Sequence, residues 1–309
     1  MSGDERSQDK NIFLFPLSQN EKIMKPKKSL GQNFLRDKSV LDKIIKSANL
    51  RSDDSVIEVG PGEGILTRKL MRYAGKVIAI ELDKNLAEKL NSQFLASLAG
   101  GSKNKKIEII NGDILEINLP ELIKSFPHPA FGHPLPEGER DNELIHYKVI
   151  ANIPYYITSP IIQLFLETEI PPVEMILMVQ KEVADRITAR PGKMSILAVS
   201  VQYYARAEKL FNVPRTSFWP VPDVDSAVIR IKPNKKQGTK NNKEETKKFF
   251  RIVKAGFSSK RKTLLNNLSS SFHLEKKITQ EKIKKAGIDP TVRAQELDIE
   301  EWKKLSRLF

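Results

Sequence analysis

Val149-Ile-Ala-Asn-Ile-Pro-Tyr-Tyr156 is an apolar run that stops at a polar residue and a proline. Such a run predicts a buried strand that delivers a loop at its carboxyl end. In open α/β sheets that edge is where ligands bind. Asn152 offers an amide oxygen that accepts hydrogen bonds, and Tyr155 a flat ring on which a nucleobase can stack. Taken alone, the stretch fits equally well a strand followed by a plain proline turn, with Tyr155 as packing.

Upstream, Ser55–Val59 is β-branched and reads as a strand, followed at once by Gly60-Pro-Gly-Glu-Gly64 and a helical pattern over Ile65–Tyr73. Strand, glycine turn and helix form a ligand-binding unit in which glycine lets the backbone come close. The spacing is not G-x-G-x-x-G, and no Lys-Ser/Thr pair follows as in a P-loop. Glu58 at the strand end argues for a ligand with a cationic or zwitterionic part rather than a pyrophosphate. The next strand, Lys76–Ile80, ends in Glu81, about 20 residues past the turn, where an acid can bind ribose hydroxyls. Glu81 could instead serve the amino end of the helix expected at 83–98. A third strand, Ile107–Ile110, leads to Asp113, either an acceptor for an adenine amine or an ordinary turn aspartate. Lys27–Leu35, by itself, is only a basic loop before a helix over 37–49.

Downstream of the opening strand (Tyr147–Ala151), Thr158-Ser-Pro160 predicts a helix start, with Ser159 at or near the cap and Pro160 in the first turn. Strands are expected at Val173–Val179, Ala207–Val213 and Ala227–Ile231, with helices at 181–187 and about 194–206, and a Pro-rich aromatic loop over Phe218–Ser226. That makes seven strands in an α/β, Rossmann-like sheet. Residues 120–146 are Pro/Gly-rich without a period and read as a surface insertion. Residues 1–24 read as a disordered extension, with Met24 a candidate true start. Residues 234–244 have linker composition, and 245–309 read as a small all-helical domain after a main domain over 25–233.

Composition sharpens the partner. The net charge is +14, and residues 232–309 hold 21 Lys and Arg against 9 Asp and Glu, so +12 of it lies in the last quarter. A basic module on a near-neutral one suggests nucleic acid; a solvated lysine-rich surface is the plain alternative. The absence of cysteine rules out disulfides and thiolate chemistry and favours the cytoplasm. The four histidines have no helical metal-ligand spacing, so no metal is expected. Neither a membrane span nor a signal peptide is expected.

Taken in order, KKSLGQNFL (27–35), EVGPGEG (58–64), Glu81, Gly112-Asp113, NIPYY (152–156), QKEVADR (180–186), the Phe218–Ser226 loop and Lys260-Arg-Lys-Thr-Leu-Leu-Asn266 resemble the small-subunit (16S) rRNA adenine dimethyltransferase family over residues 25–309. The resemblance implies a seven-strand class I methyltransferase fold, S-adenosylmethionine as methyl donor, and transfer of four methyl groups to two adjacent adenosines near the 3′ end of 16S rRNA. It implies a monomeric cytoplasmic enzyme acting on the small subunit or its precursor. By the family pattern Gln32, Asn33, Leu35, Gly60, Glu81, Asp113 and Asn152 contact the cofactor. Asn152 and the Ile153 carbonyl would accept the target amine's hydrogens, Pro154 would stiffen the turn, and Tyr155 with Phe218 would sandwich the base. Lys260, Arg261 and Lys262 would hold rRNA phosphates. The 120–146 insertion and the amino-terminal extension are not part of the pattern. Two alternatives stay open: the erythromycin-resistance relative that methylates 23S rRNA, and a small-subunit assembly checkpoint factor in which catalysis is secondary.

Overall fold

The computed structural model describes residues 32–96, 106–126, 145–234 and 243–309. The expected extension 1–24 lies outside them, as do 127–144 of the expected insertion and 235–242 of the expected linker.

In chain order the elements are β1 (Phe34–Leu35), α1 (Lys38–Ala48), β2 (Ser55–Val59), α2 (Ile65–Tyr73), β3 (Lys76–Glu81), α3 (Lys84–Ala96), β4 (Ile107–Asn111), α4 (Leu119–Lys124), β5 (Tyr147–Asn152), α5 (Thr158–Glu167), β6 (Glu174–Gln180), α6 (Lys181–Ile187), α7 (Ile196–Tyr204), β7 (Ala205–Val213), β8 (Phe218–Trp219), β9 (Ser226–Pro233), α8 (Lys243–Gly256), α9 (Leu264–Phe272), α10 (Lys276–Lys285) and α11 (Ile299–Ser306). The seven expected strands form one sheet in the order β4-β3-β2-β5-β6-β9-β7. Strands β4 to β6 run parallel, and β9 is antiparallel to both its neighbours.

Burial on both faces explains the near-continuous apolar strands. Ile57, Ile78 and Val149 pack on one side against α4 and α5 residues such as Ile123 and Phe165. Val56, Val77 and Ile150 pack on the other against α1 residues Leu41 and Ile44. The alternation follows from the two-residue repeat of a strand. From β2 the chain winds outward through β3 and β4, then returns to lay β5 on the other side of β2. This reversal is a topological switch point, and the crevice it opens lies at the carboxyl ends of β2 and β5, where Gly60 and Asn152 stand.

Several boundaries differ from the sequence expectation. Residues 119–124 form α4, capped by Asn118, and Phe126 and Ile145 are core residues, Phe126 stacking on Tyr147 at 5.9 Å. The ends of the expected 120–146 insertion therefore belong to the body. Helix α5 starts at Thr158 as expected, with Pro160 in its first turn, and a 3-10 turn over Tyr155–Ile157 runs straight into it. The segment 34–35, expected as loop, is a strand paired with β8 (Phe34 with Trp219, Leu35 with Phe218). Helices α8 to α11 share their core with α7: Ala198, Val199 and Tyr203 pack with Phe249, Val253, Leu268 and the fully buried Trp302. Gly256 on α8 lets this happen, since a Cβ there would lie 2.4 Å from the Trp302 ring.

Candidate active site

One cleft opens at the switch point. It is lined by the 32–35 segment, the glycine turn, Glu81, Asp113 and the 152–157 loop. The structure therefore brings Gln32, Asn33, Leu35, Gly60, Glu81, Asp113, Asn152, Ile153, Pro154 and Tyr155 to one place.

Each wall has a local cause. Gly60, Gly62 and Gly64 have φ of +68°, +57° and +74°, a left-handed run that side chains disfavour. At Gly60 a Cβ would point between the turn and the opposite loop, 3.7 Å from Pro154 Cδ. The turn is pinned by Gly60 N–H donating to the Ile80 carbonyl at 2.9 Å. Glu81, 5% exposed, accepts from Gly62 N–H at 3.0 Å and Asp83 N–H at 2.9 Å. Burial raises its pKa, against the pull of those amides. Asp83 caps the next helix through Asn85 N–H at 3.1 Å, so the capping role open to Glu81 falls to its neighbour. Asp113 lines the cleft and also closes its own turn through Leu115 N–H at 2.9 Å. Both uses open to it in sequence coexist.

The opposite wall is the β5 loop. Asn152 Nδ2 donates to the Asn33 carbonyl oxygen at 3.2 Å. A carbonyl only accepts, so the amide's orientation is settled: nitrogen toward Asn33, oxygen away from it. Ile153 N–H donates to the Met178 carbonyl at 3.2 Å, and the Ile153 side chain is buried. Tyr155 is half-buried, its hydroxyl 2.8 Å from Ser226 Oγ. Burial raises its pKa, so the ring is a neutral, fixed plate.

Glu58 occupies the cleft floor. It is 1% exposed, and its Oε2 has no hydrogen-bond partner among the described residues. Burial raises its pKa from 4.5 to about 8; the Thr67 hydroxyl opposes the shift and the Glu81 charge adds to it. Glu58 is therefore a proton-holding group at neutral pH, not the bare anion expected from sequence.

Phe218 is not among the residues lining the cleft: it is 3% exposed and packs with Leu35, Val213 and Val228. Alternation along β8 turns it inward and Trp219, 40% exposed, outward. Lys260, Arg261 and Lys262 are exposed on the turn between α8 and α9. Asn267 shapes that turn by donating to the carbonyls of Gly256 (2.6 Å) and Ser259 (2.9 Å).

Sequence reasoning missed Phe34, whose ring would lie 3.0 Å from a Cβ on Gly62, and the Asn33 carbonyl. Both depend on β1 pairing with a strand far along the chain, which leaves no local pattern. It also missed Tyr156, which is 57% exposed at the cleft mouth; its place after Pro154 was the available signal.

The family model for ribosomal RNA adenine dimethylase matches residues 23–309. Proteins named ribosomal RNA small subunit methyltransferase A are similar at 41% identity in Dehalococcoides mccartyi (91% of this chain, 88% of that one) and 41% in Clostridioides difficile (91% and 90%). Among solved structures, a dimethyladenosine transferase from Plasmodium falciparum superposes with a TM-score of 0.66 at 27% identity (88% and 95% covered). The 23S rRNA methyltransferase ErmE does so with 0.65 at 27% (89% and 99%).

Proposed function

We propose, from the premise that the chain belongs to the ribosomal RNA adenine dimethylase family, that it dimethylates the exocyclic amines of two adjacent adenosines near the 3′ end of 16S rRNA, using S-adenosylmethionine. It is a methyltransferase of the small ribosomal subunit's RNA. Its partner is that subunit or a precursor, met in the cytoplasm by a monomeric enzyme.

The cleft suits the proposed donor. Its polar wall carries Glu81 and Asp113, which fits a ligand bearing an ammonium, ribose hydroxyls and an adenine amine. The space a Cβ on Gly60 would fill is kept clear. Glu81 would hold the ribose, Asp113 the adenine amine, and the glycine turn with Gln32, Asn33 and Leu35 the amino-acid end. S-adenosylmethionine supplies a methyl group already activated on a sulfonium.

The chain's work falls on the acceptor. An adenine amine is nearly planar because its lone pair is delocalised into the ring. The Asn152 amide oxygen and the Ile153 carbonyl would each accept one of its hydrogens, favouring a pyramidal nitrogen whose lone pair is free. Pro154 stiffens the turn between them. Tyr155 would supply one stacking face. This is positioning and preorganised electrostatics, without a strong general base. The base must leave its stack to reach the cleft.

The observation that supports this most directly is the Asn152–Asn33 hydrogen bond, which commits the amide oxygen to acceptor duty before any substrate arrives. The test is transfer of labelled methyl groups to undermethylated small subunits, with digestion to nucleosides. Dimethyladenosine is expected. The likeness to ErmE makes large subunits the needed comparison; label in 23S rRNA instead would overturn the proposal.

A further inference from the structure

We infer that Trp219, with the Arg36 guanidinium beside it, is a stacking platform at the mouth of the cleft that holds the nucleotide next to the adenosine being methylated. This rests on the proposed function, and it names how that site handles a target of two adjacent bases.

The placement is built from two segments far apart in the chain. In the antiparallel β1–β8 ribbon, Trp219 stands opposite Phe34, and directly opposed residues share a face. Phe34 lines the cleft, and Trp219 shares its face of the ribbon at 40% exposure, whereas Phe218, opposite Leu35, is 3% exposed. The Arg36 guanidinium carbon sits 5.4 Å from the Trp219 ring centre. The same guanidinium is tethered through Nη2 to Glu63 of the glycine turn at 2.9–3.0 Å. Glu63 also lines the cleft. The platform is thus one contact away from two cleft walls.

It is also rigid. Arg36 N–H donates to the Ser217 carbonyl at 2.8 Å, and Ser217 Oγ bonds Asp37 Oδ2 at 3.0 Å. Arg215 N–H donates to Asp225 at 2.9 Å across the base of the loop. A large aromatic ring left 40% exposed on so fixed a support carries apolar area that no described residue covers. Base stacking on an aromatic face, with arginine alongside, is how single-stranded nucleic acid is held without sequence readout. Nη2 is committed to Glu63, and the guanidinium, on a side chain that is 45% exposed, keeps further donors for a phosphate.

The need is chemical. Flipping one base of an adjacent pair unstacks its neighbour. Two neighbouring adenosines must enter the same cleft in turn, so the one outside has to be held close by. Tyr155 serves the base inside; Trp219 serves the one outside.

The chain has two tryptophans. Trp302 is fully buried, so a fluorescence change on RNA binding reports Trp219. The full chain is titrated with a short end-labelled oligoribonucleotide carrying two adjacent adenosines, reading tryptophan emission and label anisotropy together. Quenching is expected, and its loss when one of the two adenosines is abasic. With undermethylated small subunits, Trp219→Leu should raise KM about tenfold at unchanged kcat, and Trp219→Phe should recover most of it. Binding by anisotropy without quenching, or an unchanged KM in folded Trp219→Leu, overturns the inference. The titration needs no turnover, so failure of the stack and failure of the methyltransferase proposal are read separately.

Discussion

Glu58→Gln should tilt the stability of this protein with pH. The Glu58 carboxyl is buried with one oxygen unpartnered among the described residues, and burial raises its pKa from 4.5 to about 8. Between those two values the folded protein keeps a proton that the unfolded chain has released. Stability therefore falls as pH rises through that window, by about 1.4 kcal/mol per unit at its steepest. Integrated between about pH 5 and pH 7, the loss assigned to Glu58 is about 2.5 kcal/mol. Below the window it vanishes; above it the loss levels off. Gln cannot titrate. Its own buried amide shifts the whole stability curve up or down without tilting it, and every other ionisable group is common to both proteins. The quantity to measure is thus the difference between wild-type and variant unfolding free energies, obtained by urea denaturation at several pH values without S-adenosylmethionine, with Trp302 as the buried reporter. That difference should move by about 2.5 kcal/mol in favour of Glu58→Gln over the two units. Parallel curves would refute a proton-bearing Glu58.

Asn152→Ala removes the oriented acceptor and should cut methyl transfer to small subunits by about 100-fold or more while leaving the melting temperature close to wild type; near-normal transfer would sink the role given to Asn152. Replacing Lys260, Arg261 and Lys262 together by Ala should lower the slope of log affinity against log salt for small subunits by about 2 to 3, measured by filter binding, with methyl-donor affinity unchanged by calorimetry. Asn267→Ala strands two carbonyls on the turn that carries those cations and should cost about 2 kcal/mol in urea denaturation, with a weaker grip on the subunit.

The sheet was legible in the sequence because parallel strands buried on both faces read as short apolar runs, as Val56–Val59 and Val149–Ala151 do. Glycine and acid signals at the strand ends then gathered most of the cleft, since chemistry at a switch point comes from strand tips. What stayed hidden depends on distant partners. Nothing near Phe34 announces its pairing with Trp219. Phe218 and Trp219 are equally aromatic as text, and only the register of β8 decides which turns inward. Glu58 looked like a charge because a sequence shows residue type but not solvation. The boundaries at 119–126 and at Ile145 were obscured by a Pro/Gly-rich neighbour whose composition drowned a short capped helix.

The amide of Asn152 takes its polarity from a main-chain carbonyl at position 33. No codon change at that position deletes a carbonyl. A mutational scan would therefore see in residue 33 only what its side chain does, and would be blind to its part in aiming the acceptor. The sensitivity is displaced to whatever fixes the path of the backbone there, including the length of chain from Asn33 to Asp37 and the register against Ser217. Insertions and deletions of one residue in that segment, rather than substitutions, are the heritable changes to which catalysis is most exposed.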